Sequence, residues 1–252
     1  MKILSLIPAR MNSTRFPGKP IKFINKIPMI VHVFNNLKKS KINSDIYIAT
    51  CDSEIADVAR KNKINFVMTS NAHERASDRC AEALNKLEKI NKKNYDIVIM
   101  LQGDEPLIDP IMIRESLIAF RKRGTLITNL FSKITNFNEF NDKNCIKVIR
   151  DNQNNAIFFT RNLNKNYFGY NGCVGKQVCS IAFEKNFLRK FIKLKPTTFE
   201  KIESIDMNRV IEHGYNVYMQ KTERYSQSVD TIDDLKKVEL LLRKKNNNKN
   251  IK

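Results

Sequence analysis

The feature that most narrows the possible folds is a change of hydrophobic period that recurs through the first 124 residues. Short apolar runs suited to buried strands are KILSLIPA (2–9), DIYIAT (45–50), INFVMT (64–69) and YDIVIML (95–101). Between them lie segments whose apolar residues fall at helical spacing. In 29–41, Met29, Ile30, Val33, Phe34 and Leu37 form one stripe. Helices are likewise predicted over 53–63 with Ser53 as cap, over 77–90 opened by Ser77, and over 109–124. In the last of these Pro110 stands in the first turn and Gly124 is the stop. This βαβαβαβα order builds an α/β fold with a mostly parallel, doubly wound, Rossmann-like sheet.

The pattern changes after about residue 125. CIKVIRD (145–151) and AIFFTR (156–161) read as strands around a DNQNN turn. QVCSIAFE (177–184), helices over 185–193 and 199–213, a strand NVYMQK (216–221) and a last helix over 231–245 follow. No internal repeat or interdomain linker is visible. The expectation is one domain over 1–244, with a smaller inserted β region at about 126–183 facing the substrate and a dimer partner. The basic tail 245–252 is expected to be disordered.

A chain of 252 residues can bury a substantial core. No apolar run reaches the ~18–20 residues of a membrane span. The N-terminal apolar run is too short for a signal peptide and lacks a small-residue cleavage site, so a cytoplasmic protein is expected. Five cysteines form no CxxC pair, and three histidines lack metal-ligand spacing. The net charge of +19 favours anionic ligands. That excess is spread along the chain and not gathered into a stripe with aromatics, so no specific nucleic-acid partner is expected.

In open parallel sheets, ligands bind beyond the carboxyl ends of the strands. Three polar stretches fall there: PARMNSTRFPGKP (8–20), CDSE (51–54) and QGDEP (102–106). In the first, Pro8 and Pro17 exclude helix and Gly18 permits tight backbone turns. Arg10, Arg15 and Lys19 can then converge on phosphate oxygens, although a solvated basic turn has the same composition. The loop is neither a Walker loop nor a dinucleotide fingerprint. Asp104 stands where a carboxylate can hold Mg²⁺ against a triphosphate, while QGDEP is also ordinary turn chemistry. SVDTIDDL (228–235) offers Asp230, either as a second carboxylate or as part of a helix start at Thr231.

The order and spacing of IPARMNSTRFPGKP, LQGDEP and SVDTIDDL resemble the CMP-Kdo synthetases, the 3-deoxy-manno-octulosonate (Kdo) cytidylyltransferases. PMIVHV (28–33), IATCDSEI (48–55), IKVIRD (146–151), AIFFTR (156–161) and IESIDMNR (202–209) extend the likeness over residues 3–240. The resemblance implies that the anomeric hydroxyl of a 2-keto sugar acid attacks the α-phosphate of CTP, releasing pyrophosphate, in a homodimeric enzyme using Mg²⁺. It implies nucleotide contacts from Pro8, Ala9, Arg10, Arg15, Lys19, His73, Ala76, Ser77 and Gln102. Lys19, Asp104 and Asp230 become catalytic, with the two aspartates as metal ligands. Arg75, Arg161, Gln177, Glu203 and Asp206 fall on the acceptor side.

Three places depart from the family pattern. The family's H-x-S-G-T-[DE]-R reads HERASDR, so Arg75, Ala76 and Ser77 replace Ser, Gly and Thr. Gln177 and Ile181 stand where the family has His and Tyr, and Met207 where it has Gln. Losing hydrogen-bonding partners argues for an acceptor other than Kdo, such as an amino-substituted ulosonate or a phosphonate. A catalytically degenerate anion-binding protein and a sugar-nucleotide-consuming glycosyltransferase are the rival readings. The latter is expected to carry DxD where this chain has QGDEP.

Overall fold

The computed structural model describes residues 1–13, 15–121 and 124–247. In chain order it contains β1 (Ile3–Ala9), a small hairpin of β2 (Phe23–Ile24) and β3 (Ile27–Pro28), α1 (Met29–Lys39), β4 (Ser44–Thr50), α2 (Ser53–Lys61), β5 (Phe66–Met68), α3 (Ala76–Ile90) and β6 (Ile97–Leu101). There follow α4 (Pro110–Glu115), β7 (Ile127–Ser132), α5 (Phe137–Asn141), β8 (Lys147–Arg150), β9 (Ala156–Thr160), β10 (Val174–Glu184), α6 (Lys185–Phe191), α7 (Thr198–Glu203), α8 (Met207–Glu212), β11 (Tyr218–Thr222) and α9 (Ile232–Asn247).

Strand β1 is buried along its whole length, and its side chains alternate between two layers. Leu4 and Leu6 pack with Cys80, Leu84 and Leu87 of α3. Ile3 and Ile7 pack with Ile30, Val33 and Leu37 of α1 and with Ile55 of α2. Each such side chain contributes about 1.5–3 kcal/mol on leaving water. Two apolar faces on one strand require helices on both, which is why these runs show no polar alternation.

The sheet order is β11-β7-β10-β6-β1-β4-β5. β6, β1, β4 and β5 are parallel, as are β7 and β11, while β10 lies antiparallel between β6 and β7. The region expected as an insertion therefore supplies β7 and β10 to the central sheet. The β8–β9 hairpin stands off it, attached through β10.

Several expected boundaries move. Asp52, not Ser53, precedes α2, and Arg75, not Ser77, precedes α3. The helix expected over 109–124 stops at Glu115. The buried Ser116 hydroxyl donates back to the Ile113 carbonyl at 2.7 Å, and the chain then tightens into a 3₁₀ turn at Ile118–Arg121. The helix expected over 199–213 breaks at Ser204, which adopts a left-handed φ of 55°. That reversal brings Arg209 of α8 back onto Glu200 of α7, forming a buried two-pronged pair whose Nε–Oε2 distance is 2.7 Å. Helix α9 extends through Asn247, past the expected start of the tail, and 248–252 lie outside the described residues.

Candidate active site

The basic loop after β1 folds back on itself. Gly18, at φ 70°, donates its N–H to the Met11 carbonyl at 2.9 Å. The root of the loop is pinned by the CDSE segment, because Met11 N–H donates to the Asp52 carboxylate at 2.7 Å. The QGDEP turn lies hard against the end of β1. A Cβ on Gly103 would come within 3.3 Å of the Pro8 carbonyl, so glycine is what permits the approach.

These contacts bring four charged side chains together from distant parts of the chain. Lys19 Nζ lies 2.7 Å from Asp104 Oδ2 and 3.5 Å from Asp230 Oδ1. Arg15 Nη2 lies 3.0 Å from the same Asp230 oxygen. Val229 N–H donates to the Asp104 carbonyl at 2.9 Å, which joins the two carboxylate segments. Burial opposes the charge on Lys19, but Asp104 and Asp230 outweigh it and raise its pKa. Burial and the neighbouring Asp104 raise that of Asp230, against Lys19 and Arg15. Asp230 thus pairs with Lys19 and Arg15 and lines the cavity beyond the strand ends. The helix start belongs to Thr231, whose hydroxyl accepts from Asp234 N–H while its own N–H donates to the Asp234 carboxylate.

Among the described residues no cluster of three or more His, Cys, Asp or Glu could hold a metal. Two carboxylates from separate segments, facing a cavity, still suit Mg²⁺, which commonly takes one or two protein carboxylates and completes its shell with phosphate oxygens and water. Asp104 and Asp230 fit that role.

The cavity beyond the strand ends has a volume of about 640 Å³. Of the residues singled out from sequence, Pro8, Ala9, Arg10, Arg15, Lys19, His73, Ala76, Gln102, Asp104 and Asp230 line it, as do Arg75, Arg161, Gln177 and Asp206. Ser77 and Glu203 do not. Ser77 is fully buried and donates to Asp206 at 2.8 Å, because it lies one position inside α3 on its inward face. The Glu203 carboxylate accepts from the Thr160 hydroxyl and from Arg161 N–H, both at 2.8 Å, and its carbonyl accepts from Arg161 Nε at 3.0 Å. Glu203 therefore holds Arg161 in place and does not itself form the wall. Arg75 is tied to the Ser204 hydroxyl at 3.0 Å, and His73 to Glu82.

Other site residues escaped the sequence reading. Arg79 lies in the HERASDR stretch and lines the cavity while only 3% exposed. Its Nη1 donates to Thr69, whereas its buried Nη2 has no hydrogen-bond partner among the described residues. Glu105 is buried beside Asp104, accepting from the Ser226 hydroxyl at 2.6 Å and from Cys179 N–H at 3.3 Å. Burial pushes its pKa up to about 7. Lys147 is a buried ammonium that donates to the Arg161 carbonyl, and Asn129 accepts from Gln177. The motif position was a signal for Arg79 and Glu105. Nothing in the sequence marked Asn129.

A family profile described as cytidylyltransferase matches residues 4–229. This chain belongs to the cytidylyltransferase family. The cytidylyltransferase is 34% identical over 256 residues to the 3-deoxy-manno-octulosonate cytidylyltransferase of Thermodesulfovibrio yellowstonii, covering 96% of this chain and 98% of that protein. It is also 34% identical to the mitochondrial 3-deoxy-manno-octulosonate cytidylyltransferase of Arabidopsis thaliana, over 97% of this chain and 84% of the relative. A solved CMP:2-keto-3-deoxy-manno-octonic acid synthetase complexed with CTP superposes with a TM-score of 0.85 at 27% identity, covering 97% of this chain and all of that one. The cytidylyltransferase is a CTP-dependent nucleotidyltransferase, as its motifs led us to expect. Among the described residues no helix is long and apolar enough to cross a membrane.

The relatives do not favour the expectation of an acceptor other than Kdo, and the geometry shows why the substitutions carried less than their number suggested. Met207 is fully buried in the core and does not line the cavity. Ile181 touches the cavity but is 1% exposed. Gln177 replaces one polar side chain by another and keeps a hydrogen bond.

Proposed function

We propose that this cytidylyltransferase couples CTP to Kdo, giving CMP-Kdo and pyrophosphate, with Mg²⁺ held by Asp104 and Asp230. The observation that carries the reading is the contact of Lys19 with both carboxylates in a cavity that Arg161 and Gln177 also line. Nucleotidyl transfer asks little covalent chemistry of a protein; it needs positioning and neutralisation of phosphate charge. Lys19, Arg15 and Arg10 supply cations along the triphosphate. Arg79, whose buried Nη2 lacks a partner among the described residues, adds a cation beside the same cavity. Arg161 has Nε and Nη1 anchored to the Glu203 and Lys143 carbonyls and meets the acceptor carboxylate. A bound Mg²⁺ would supply charge neutralisation at the α-phosphate and lower the pKa of the attacking hydroxyl.

Lys19 serves two partners in turn. Without nucleotide it neutralises Asp104 and Asp230; with nucleotide it is placed to reach the phosphates. The reaction forms a bond between the anomeric oxygen and the α-phosphorus and breaks the bond to the pyrophosphate leaving group. The homodimer implied by the resemblance belongs to the same proposal, and sedimentation velocity tests it.

The test is pyrophosphate release with each of CTP, UTP, ATP and GTP, with and without Mg²⁺, against Kdo, amino-substituted ulosonates and simple phosphonates. Turnover confined to CTP, dependent on Mg²⁺ and highest with Kdo is expected. A higher kcat/KM with any other acceptor, or equal use of the four nucleotides, would overturn the assignment.

A further inference from the structure

The nucleotide and acceptor halves of the cavity meet at an irregularity in β10. Val178 pairs with Leu130 of β7, but the next paired residue, Ile181, faces Asn129, so Cys179 and Ser180 bulge out of this ladder. The bulge is held from the nucleotide side, where Gln102 N–H donates to the Cys179 carbonyl at 3.1 Å. It is held from the other side by Asn129, a fully buried amide of β7. Asn129 Nδ2 donates to the Val178 carbonyl at 2.8 Å, with the Leu130 carbonyl 3.4 Å away.

Those two carbonyls decide the orientation of a neighbouring amide. A backbone carbonyl can only accept, so the end of Asn129 that faces them has to be the NH₂. Its Oδ1 is thereby turned toward Gln177, and that oxygen can also only accept. Gln177 must present its own NH₂ there, and the contact is indeed Gln177 Nε2 to Asn129 Oδ1. No described residue donates to Gln177 Oε1, and Gln177 lines the cavity.

We infer that Asn129 is a positioning residue that fixes Gln177 as a hydrogen-bond acceptor toward the bound sugar acid, so that this part of the site selects a substrate hydroxyl able to donate. The inference rests on the functional reading above and adds the direction of one recognition hydrogen bond. A buried relay of this kind sets specificity, because an analogue that cannot donate leaves Gln177 Oε1 without the partner that the substrate hydroxyl supplies. Asn129 touches no substrate; it acts through Gln177.

The test uses the full chain, CTP, and Kdo with its deoxy and deoxyfluoro analogues at each non-anomeric hydroxyl. Fluorine can accept but cannot donate, so it separates the two possible directions. The expected result with the unaltered enzyme is one position at which deoxy and deoxyfluoro analogues both lose about 10- to 100-fold in kcat/KM. In Asn129→Ser the Gln177 amide is released to turn, and that discrimination shrinks about tenfold with the CTP KM within about twofold. In a Gln177→Ala background, Asn129→Ser has no further effect on discrimination, as expected of residues acting in series.

Fluorine restoring activity at the sensitive position would overturn the inference without any variant. So would discrimination unchanged in Asn129→Ser, or an Asn129→Ser effect that persists without Gln177, the mark of a merely structural role. Absence of CTP-dependent pyrophosphate release with Kdo in the unaltered enzyme would instead remove the functional reading, and the inference with it.

Discussion

Replacing Lys147 by methionine isolates the contribution of one buried cation beneath Arg161. Lys147 is 1% exposed, and its ammonium donates to the carbonyls of Asp142 at 2.7 Å, Cys145 at 2.9 Å and Arg161 at 2.7 Å. Among the described residues it makes no ion pair, and burial lowers its pKa. Each charge-assisted bond is worth about 1.5–3 kcal/mol. Desolvating the ammonium returns several kcal/mol of that. Methionine removes the desolvation cost but leaves three carbonyls without their donor, so a net loss of about 3 kcal/mol is expected. For a chain of this size that corresponds to a fall in Tm of about 6–12 °C.

The functional effect follows from which carbonyls are lost. Lys147 ties the 142–145 loop to Arg161, so Lys147→Met should raise the acceptor KM about tenfold and leave the CTP KM within about twofold. Differential scanning calorimetry and steady-state pyrophosphate release read the two quantities. A stability change under about 1 kcal/mol together with unchanged KM values would refute the account of Lys147 as a clamp.

Asp104→Asn and Asp230→Asn should each lower kcat by about 10²-fold or more with circular dichroism unchanged, and near-normal turnover in Asp230→Asn would return that residue to the helix start. Arg161→Ala should raise the acceptor KM much more than the CTP KM, a split that initial-rate kinetics at fixed co-substrate detects. Glu82 titrates at about 2: burial pushes it up, but Lys86, Ser70 N–H and His73 pull it further down. Its folded pKa is below the unfolded one, so its stabilisation is full above about pH 4.5 and is lost as pH falls toward 2. Solvent screening limits the value to about 1 kcal/mol. Glu82→Gln should therefore lower Tm at pH 7 and flatten the acid limb of a Tm-against-pH curve, and an unchanged acid limb would contradict this.

That Asp104 and Asp230 belong together came from the family resemblance, but the alternation of strand and helix and the position of the basic loop at a strand end were legible in the sequence itself. Each rests on local rules: hydrophobic period, Pro and Gly punctuation, and the tendency of polar motifs to sit at strand ends. What only the tertiary structure decided is which way particular side chains turn. Ser77 and Met207 belong to motifs yet point into the interior, because a shift of one helical position rotates a side chain by about 100°. Glu203 faces Arg161 and not the cavity because its carboxylate is claimed by Thr160 and the Arg161 N–H. Asn129 carries no motif at all. Its role arises from a bulge in a strand some fifty residues away, where an unpaired carbonyl needed a donor, and hydrogen-bond satisfaction between distant segments leaves no local pattern to read.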